Sequence, residues 1–477
     1  MFILPVAILL VAAAFVLVIN PDMSFTIGGS SIKGSEVGDT PQQPLTDAAG
    51  KEAESQAPEA QAQLNEGVLV GKVLDSITNQ PIVGALVTDG KNVVTTGPDG
   101  SYRLDNIAAA NQIKIRVHGY DRATFDPSKE RPAEVKLRPR NIRALYLTYY
   151  GVGDEDIFAH AMQVIKETEA NALVIDVKGD RGWLAYKSSV PMVEAIGAQR
   201  EDYQIKDVHA LIDMLKKENV YTIARIVTFK DNPLARARPD LAVHDGRNGG
   251  LWIDGEGLAW TDPFKEEVWD YNIALAVEAA NLGFDEIQFD YVRFPTDPSA
   301  GTSVDATVFS DENLMANRVA AITGFLKKAD EALKPTGVAL AADIFGYVTW
   351  RTDDMGIGQH LETLGGLVDY ICPMVYPTLY WDGIPRMDGG DPYVNDAPAH
   401  PYDIVHLSLK QAEGRLQGAR AKLRPWLQYY NDYILDIPYG AHEIELQKQA
   451  TYDMNIDSWM MWDPSNRYAK GGFAAGQ

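Results

Sequence analysis

An alternation of strand-like and helix-like segments fills the chain from Ile142 to its end, and it constrains the fold more than any other feature. Eight runs rich in apolar and β-branched residues lie near 144–149, 172–177, 220–227, 286–291, 338–343, 370–376, 425–430 and 459–462. Most intervals between them repeat apolar residues every three or four positions, as amphipathic helices do. This pattern predicts the α/β class and a (β/α)8 TIM barrel over 142–477. A doubly wound open sheet is the rival, but the sequence has no glycine-rich dinucleotide or phosphate loop to favour it.

Residues 67–139 have a different pattern, in which short alternating runs are separated by turn signals such as Asp99-Gly100. Such runs predict a small all-β sandwich of about seven strands. The order of the segments TNQPIVGALV, TTGPDGSYRL and VHGYDRATFD resembles the carboxypeptidase regulatory-like (transthyretin-like) module. The resemblance implies a spacer or a binding accessory without chemistry of its own.

The first 66 residues predict a membrane attachment and a tether. Residues 1–20 carry no charged side chain and match the ~20 residues that a helix needs to cross a bilayer. We therefore expect an N-terminal transmembrane anchor, with a cleaved signal segment and a secreted protein as the alternative. Residues 21–66 are rich in Glu, Gln, Ala, Pro and Ser, which predicts a disordered acidic linker. The folded domains are then expected outside the cytoplasm, at the cell envelope.

Charge and composition exclude several classes of partner. The formal net charge of -23 repels phosphate backbones, so we expect no nucleic-acid partner. Cys372 is the single cysteine, which excludes an intrachain disulfide. The eight histidines show no paired spacing on a helix, and we expect neither a metal nor a cofactor.

The stretch 284–295, FDEIQFDYVRFP, places polar residues where a core strand is otherwise expected. Glu286, Gln288 and Asp290 share one face of the strand, which in a barrel is the face toward the axis. Residues 287, 289 and 291 are then expected to face the helices. By the same parity Asp176 and Lys178 share a face, and together these residues predict a polar barrel interior.

Polar and aromatic residues also follow the predicted C-terminal ends of the other strands, where TIM barrels carry their active sites. We therefore predict substrate binding by Asp176, Lys178, Arg225, Asp231, Glu286, Arg293, Tyr376, Gln428 and Trp462. Two carboxylates beside aromatic rings are the requirements of glycoside hydrolysis. Asp290 is predicted as the nucleophile because Arg225 and Arg293 favour its ionised form. Asp343 is predicted as the general acid because its apolar neighbours raise a carboxyl pKa. The reverse assignment stays open, as does an acid role for Asp176 or Glu286.

The segments ALVIDVKGDRGWLAY, GFDEIQFDYVRFPTD and DYICPMVYPTLY resemble a bacterial glycoside hydrolase family first catalogued as a domain of unknown function. That family is a (β/α)8 barrel distantly similar to the α-amylase group. The resemblance implies a nucleophilic Asp closing strand four, where Asp290 falls. The acid of that group is usually a Glu closing strand five, whereas this chain has Asp343 there. Gln428 stands at the end of strand seven, where no carboxylate occurs.

The sequence thus predicts a glycoside hydrolase that cleaves O-glycosyl bonds of a polysaccharide or oligosaccharide. The alternative is a catalytically inactive barrel that binds glycan or serves in envelope assembly.

Overall fold

The computed structural model of the chain describes residues 67–107, 112–296, 307–309, 314–380 and 382–476. The predicted anchor, 1–20, and linker, 21–66, lie outside the described residues. Within those ranges no helix is both long and apolar enough to cross a membrane.

Seven strands precede the barrel and form two sheets, which we call the β unit. Its strands are β1 Val68–Asp75, β2 Leu86–Thr88, β3 Val93–Thr95, β4 Ser101–Asp105, β5 Ile113–Arg116, β6 Ala123–Phe125 and β7 Glu134–Leu137. One sheet has the order β4-β1-β7 and the other β3-β2-β5-β6. Alternate residues of both sheets, such as Val73, Val87 and Ile115, are buried in one shared hydrophobic cluster. This alternation is what the period-two pattern of the sequence requires.

The remaining strands are β8 Arg143–Leu147, β9 Ala172–Lys178, β10 Tyr221–Val227, β11 His244–Asp245, β12 Glu286–Asp290, β13 Thr307–Val308, β14 Ala339–Phe345, β15 Tyr370–Met374, β16 Lys422–Leu423, β17 Trp426–Gln428 and β18 Trp459–Trp462. All of them except β11 and β13, which form a short antiparallel pair of their own, belong to one parallel sheet. In that sheet β16 and β17 both pair with β15 and serve as one interrupted seventh strand. The last strand, β18, pairs with β8, so the sheet closes into an eight-stranded barrel. The predicted barrel is confirmed and the open sheet is excluded.

The helices are α1 Glu155–Glu167, α2 Pro191–Ala195, α3 Val208–Lys217, α4 Asn232–Ala237, α5 Glu266–Leu282, α6 Met315–Leu333, α7 Leu361–Gly365, α8 Pro401–Arg415 and α9 Ala441–Tyr452. At least one helix lies between each pair of consecutive barrel strands. Local sequence sets their ends. The Asp154 side chain caps α1 by accepting from the amides of Asp156 and Ile157, and Gly283 ends α5 with a left-handed φ of 109°.

The barrel has an outer core between strands and helices and an inner core along its axis. Ile287 and Phe289 face outward, and the Phe289 ring lies 4.8 Å from that of Phe325 on α6. The interior is less polar than predicted, because a cluster of apolar residues fills much of it. That cluster includes Ala144, Tyr146, Val174, Ile223, Ala341, Cys372, Trp426 and Met460.

The β unit contacts the barrel at the N-terminal ends of its strands. Lys114 donates to the carbonyl of Thr336, just before β14, at 2.9 Å. Arg122 pairs with Asp285, just before β12, at 3.1 Å. Arg116 and His118 both reach Asp369, just before β15, at 2.9 Å. The opposite end of the barrel, at the C-terminal ends of the strands, is formed by the connecting loops.

Candidate active site

Asp290 is the last residue of β12 and faces the barrel axis. Its Oδ1 accepts from the amide of Tyr291 at 2.6 Å, and its Oδ2 accepts from Arg225 Nε at 2.9 Å. Tyr291 has a φ of 48°, in the left-handed region that disfavours a bulky residue. The strand consequently ends one residue earlier than predicted. Tyr291 does not continue the helix-facing row of Ile287 and Phe289, and its ring instead lies 5.6 Å from Trp260.

Arg225, on β10, is the cation that connects the carboxylates of the site. Its Nη1 lies 2.6 Å from Asp176 Oδ1, and its Nη2 lies 2.5 Å from Asp290 Oδ2 and 3.2 Å from Asp180 Oδ1. We call these four residues the Arg225 cluster. Asp176, Arg225 and Asp290 are buried, whereas the Asp180 side chain is 39% exposed at the outer edge. One guanidinium paired with three carboxylates leaves the cluster negative, which suits a positively charged transition state.

Asp343, on β14, neighbours Asp290 on the adjacent parallel strand. Phe289 pairs with Ala342, so the next residues on the two strands are Asp290 and Asp343, on backbones ~4.8 Å apart. Asp343 Oδ1 accepts from Trp426 Nε1 at 2.8 Å, while Oδ2 is buried and has no hydrogen-bond partner among the described residues. Burial and the charge of Asp290 raise the pKa of Asp343 well above its usual value. Its environment therefore favours the protonated form of Asp343 beside the Asp290 carboxyl.

Asp176, on β9, is a second buried carboxyl with a perturbed pKa. Its Oδ2 accepts from the Tyr146 hydroxyl at 2.7 Å and from the Tyr149 amide at 3.2 Å. Burial raises the pKa of Asp176 to about 6, although Arg225 acts to lower it. This environment keeps Asp176 open as an alternative acid.

Four aromatic side chains line the same end of the barrel, and we call them the aromatic cluster: Tyr146, Tyr376, Trp426 and Trp462. The rings of Tyr146 and Trp462 stack with centroids 4.1 Å apart, and Trp426 meets the Trp462 ring edge-on at 5.5 Å. The Arg225 guanidinium lies 5.1 Å from the Trp462 ring, so the aromatic and charged groups are contiguous. Flat rings beside carboxylates can bind the apolar faces of sugars.

Lys178 and Asp231, both predicted to bind substrate, lie instead toward the helices. Lys178 Nζ is 2.5 Å from Asp231 Oδ2 and 2.8 Å from Asn272 Oδ1 on α5. Asp231 also caps α4 by accepting from the Leu234 amide. The register between β9 and β10 shifts after Arg225, and this shift breaks the parity that the sequence predicted for Asp176 and Lys178.

Glu286 lies at the other end of β12, four residues before Asp290 and so ~13 Å deeper. It is fully buried and forms a two-pronged ion pair with Arg424, one contact being 3.0 Å. The Tyr221 hydroxyl donates to it at 3.1 Å. These contacts satisfy the Glu286 carboxylate at the base of the barrel.

Gln428 and Arg293 lie close to the strand ends but have partners within the chain. The Gln428 amide accepts from the Thr378 amide at 3.0 Å and donates to the Thr378 hydroxyl at 2.7 Å, which orders the loop after β15. The Arg293 guanidinium lies 4.8 Å from the Trp260 ring and 4.6 Å from the Phe345 ring.

Of the predicted residues, Asp176, Arg225, Asp290, Asp343, Tyr376 and Trp462 are therefore brought together. The sequence prediction missed Tyr146, Trp426 and Asp180. Strand parity is the signal that could have found Tyr146 and Trp426, because alternate residues of a strand face the same side. Tyr146 shares its strand face with Ala144, and Trp426 shares its face with Gln428, which was predicted to bind substrate.

A closed parallel barrel with buried carboxylates and aromatic rings at its C-terminal end has the arrangement of a TIM-barrel enzyme. The chain belongs to the family described as "Putative glycosyl hydrolase domain", whose model matches residues 144–468. That match covers more than half of the 477 residues.

Solved structures that match the chain include a hypothetical protein from Ruminiclostridium thermocellum, 38% identical, covering 42% of this chain and 96% of that chain, with a TM-score of 0.36. The PgaB (BpsB) glycoside hydrolase domain from Bordetella bronchiseptica is 13% identical, covering 70% of this chain and 99% of that chain, with a TM-score of 0.49. A class V chitinase from Pseudomonas fluorescens is 11% identical, covering 70% and 97%, with a TM-score of 0.41. A comparison with curated proteins finds no match.

Proposed function

We propose that the barrel hydrolyses glycosidic bonds of a polysaccharide or oligosaccharide, with Asp290 as the nucleophile and Asp343 as the general acid and base. The observation that carries this proposal is the contrast between two adjacent carboxyls. Asp290 receives two N–H donors from Arg225, which suit a carboxylate, whereas Asp343 is held in a dry environment that favours its protonated form.

In the first step an Asp290 oxygen bonds to the anomeric carbon. The glycosidic bond breaks, and the leaving oxygen takes the proton of Asp343. In the second step the Asp343 carboxylate removes a proton from water. The water oxygen bonds to the anomeric carbon and releases Asp290. A carboxyl separation of ~5–5.5 Å is typical of enzymes that retain the anomeric configuration, and the adjacent places of Asp290 and Asp343 on paired strands favour that outcome.

Release of reducing sugar from a panel of polysaccharides tests the proposal. Asp290→Asn and Asp343→Asn should each lower the rate by at least ~100-fold, while the exposed α3 variant Asp213→Asn serves as the matched control. With an aryl glycoside whose leaving group needs no proton, the first step should survive in Asp343→Asn and fail in Asp290→Asn. Retained hydrolysis in both variants would show that the site is wrong.

The second candidate function is that of a catalytically inactive barrel that binds glycan. The same panel of polysaccharides distinguishes it from hydrolysis. Binding of a polysaccharide without release of any product by the wild-type protein would support the binding role.

For the rest of the chain, we propose that the β unit is a β-sandwich of the carboxypeptidase regulatory-like kind. The shared core of its two sheets and the quoted motifs support this assignment. We also propose that residues 1–20 attach the protein to a membrane and that 21–66 are the linker, with the barrel outside the cytoplasm. Protease accessibility of the barrel in intact cells, combined with membrane fractionation, tests that placement.

A further inference from the structure

Among the described residues, the Tyr376 hydroxyl is a buried polar group without a hydrogen-bond partner. Tyr376 lies two residues after the end of β15 and is 4% exposed. Its hydroxyl oxygen has no hydrogen-bond partner within the described part of the chain. Its neighbour Gln428 differs in this respect, because each polar atom of that amide is satisfied by the chain. Buried hydroxyls without partners are disfavoured, so those that persist call for a physical reason.

The surroundings of this hydroxyl connect it to the proposed reaction. The Tyr376 ring lies 6.5 Å from Trp462 and 5.9 Å from Tyr430. Burial first, and then the charges of Tyr430, Asp343 and Asp290, raise the pKa of Tyr376 well above its usual value. Tyr376 therefore stays a neutral donor within the electrostatic reach of both carboxyls.

Asp343 Oδ2 is likewise buried and has no partner among the described residues. A hydroxyl donor and a carboxyl oxygen, both without a described partner and both close enough to Asp290 for its charge to act on them, are groups that a ligand with its own hydroxyl groups could satisfy. The aromatic cluster supplies the flat apolar surface that such a ligand needs.

We propose that Tyr376 donates a hydrogen bond to a hydroxyl oxygen of the sugar whose anomeric carbon Asp290 attacks. Tyr376 is then a residue that determines specificity, selecting sugars with an acceptor oxygen at that position over deoxy sugars. This assignment rests on the proposed function of the barrel.

Tyr376→Phe removes only the hydroxyl, and Tyr102→Phe in the β unit is its matched control. The Tyr102 hydroxyl is likewise buried and unpaired among the described residues, but it lies in the core of the β unit. Both variants should unfold at the same denaturant concentration as the wild type or at a higher one, because each removes an unsatisfied polar group.

Activity should separate the two variants. The probe is the p-nitrophenyl glycoside cleaved fastest by the wild type among the α- and β-glucosides, galactosides and N-acetylglucosaminides. Tyr376→Phe should lower kcat/KM about 10- to 100-fold, and Tyr102→Phe should leave it unchanged. Both limbs of the pH–rate profile should stay at the same pH, because Tyr376 does not titrate in the working pH range. Monodeoxy analogues of the probe each lack one ring hydroxyl. For the analogue that lacks the hydroxyl bonded by Tyr376, the wild type and Tyr376→Phe should react at equal rates.

Unchanged kcat/KM in Tyr376→Phe, or an equal loss in Tyr102→Phe, would overturn the proposal. If no glycoside is cleaved, the proposed hydrolysis fails by itself, and calorimetric binding of the same glycosides still tests Tyr376. Binding that is weaker than wild type in Tyr376→Phe but not in Tyr102→Phe supports the hydrogen bond. Binding of equal strength in the two variants refutes it.

Discussion

Replacing Arg225 with methionine should destabilise the protein in a strongly pH-dependent way. Arg225 is 1% exposed and forms ion pairs with two buried carboxylates, Asp176 and Asp290. Methionine fills a similar space without charge, so the variant leaves both carboxylates without their cation. Breaking a buried pair in this way costs about 3–5 kcal/mol of unfolding free energy at neutral pH.

The sign of the pH effect follows from Asp176. With Arg225 present, burial already raises the pKa of Asp176 to about 6, above its ordinary 3.8, and removing Arg225 raises it further. A carboxyl whose pKa is raised by folding favours the native state below its unfolded pKa and loses that contribution as the pH rises through the folded pKa. The deficit of Arg225→Met should therefore be small near pH ~4.5 and reach its full size near pH ~8.

Urea denaturation of wild type and variant at both pH values measures this difference. The control is Arg238→Met, because Arg238 forms its ion pairs with Asp240 and Glu267 at the surface, and exposed pairs contribute about 0–1 kcal/mol. A deficit below ~1 kcal/mol at the higher pH, or one equal at both pH values, would refute the reasoning.

Two further predictions concern other parts of the molecule. Trp426→Phe removes the hydrogen bond that lowers the pKa of Asp343. The alkaline limb of the pH–rate profile should therefore move to higher pH. The control Trp459→Phe should leave that limb in place. Asp369→Asn should cost about 3–5 kcal/mol in urea unfolding, because it leaves the largely buried Arg116 without its carboxylate at the contact between barrel and β unit and removes one of the two carboxylates paired with Arg420, whereas the exposed Asp99→Asn should leave the unfolding midpoint nearly unchanged.

Each of these predictions has a clear contrary result. A limb that moves to lower pH in Trp426→Phe would mean that the indole does not favour the ionised form of Asp343. Burial alone would raise the pKa of Asp369, but its cationic partners lower it well below the usual range. Its contribution should therefore be lost as the pH falls, and an Asn variant with an unchanged unfolding midpoint at neutral pH would contradict that role.

The repeating pattern was sufficient to predict the barrel and the face of its fourth strand. For β18 the predicted and observed bounds coincide, and Glu286, Gln288 and Asp290 face the interior as their parity required. Local pattern could not predict the Lys178 orientation, because a register shift between two strands depends on both partners. Nor could it pair Trp426 with Asp343, which are 83 residues apart on β17 and β14, two strands that both pair with β15.

The β unit and the candidate active site lie at opposite ends of the barrel, and this polarity has a practical consequence. A chemical linker or a solid support coupled to the solvent-facing surface of the β unit leaves the loops after the strands unobstructed. The contacts of the β unit at Asp285, Thr336 and Asp369 lie just before the starts of barrel strands, so immobilisation should not narrow the entrance. Polymers too large to diffuse into a porous matrix could then be presented to the protein on a surface, with the entrance directed outward.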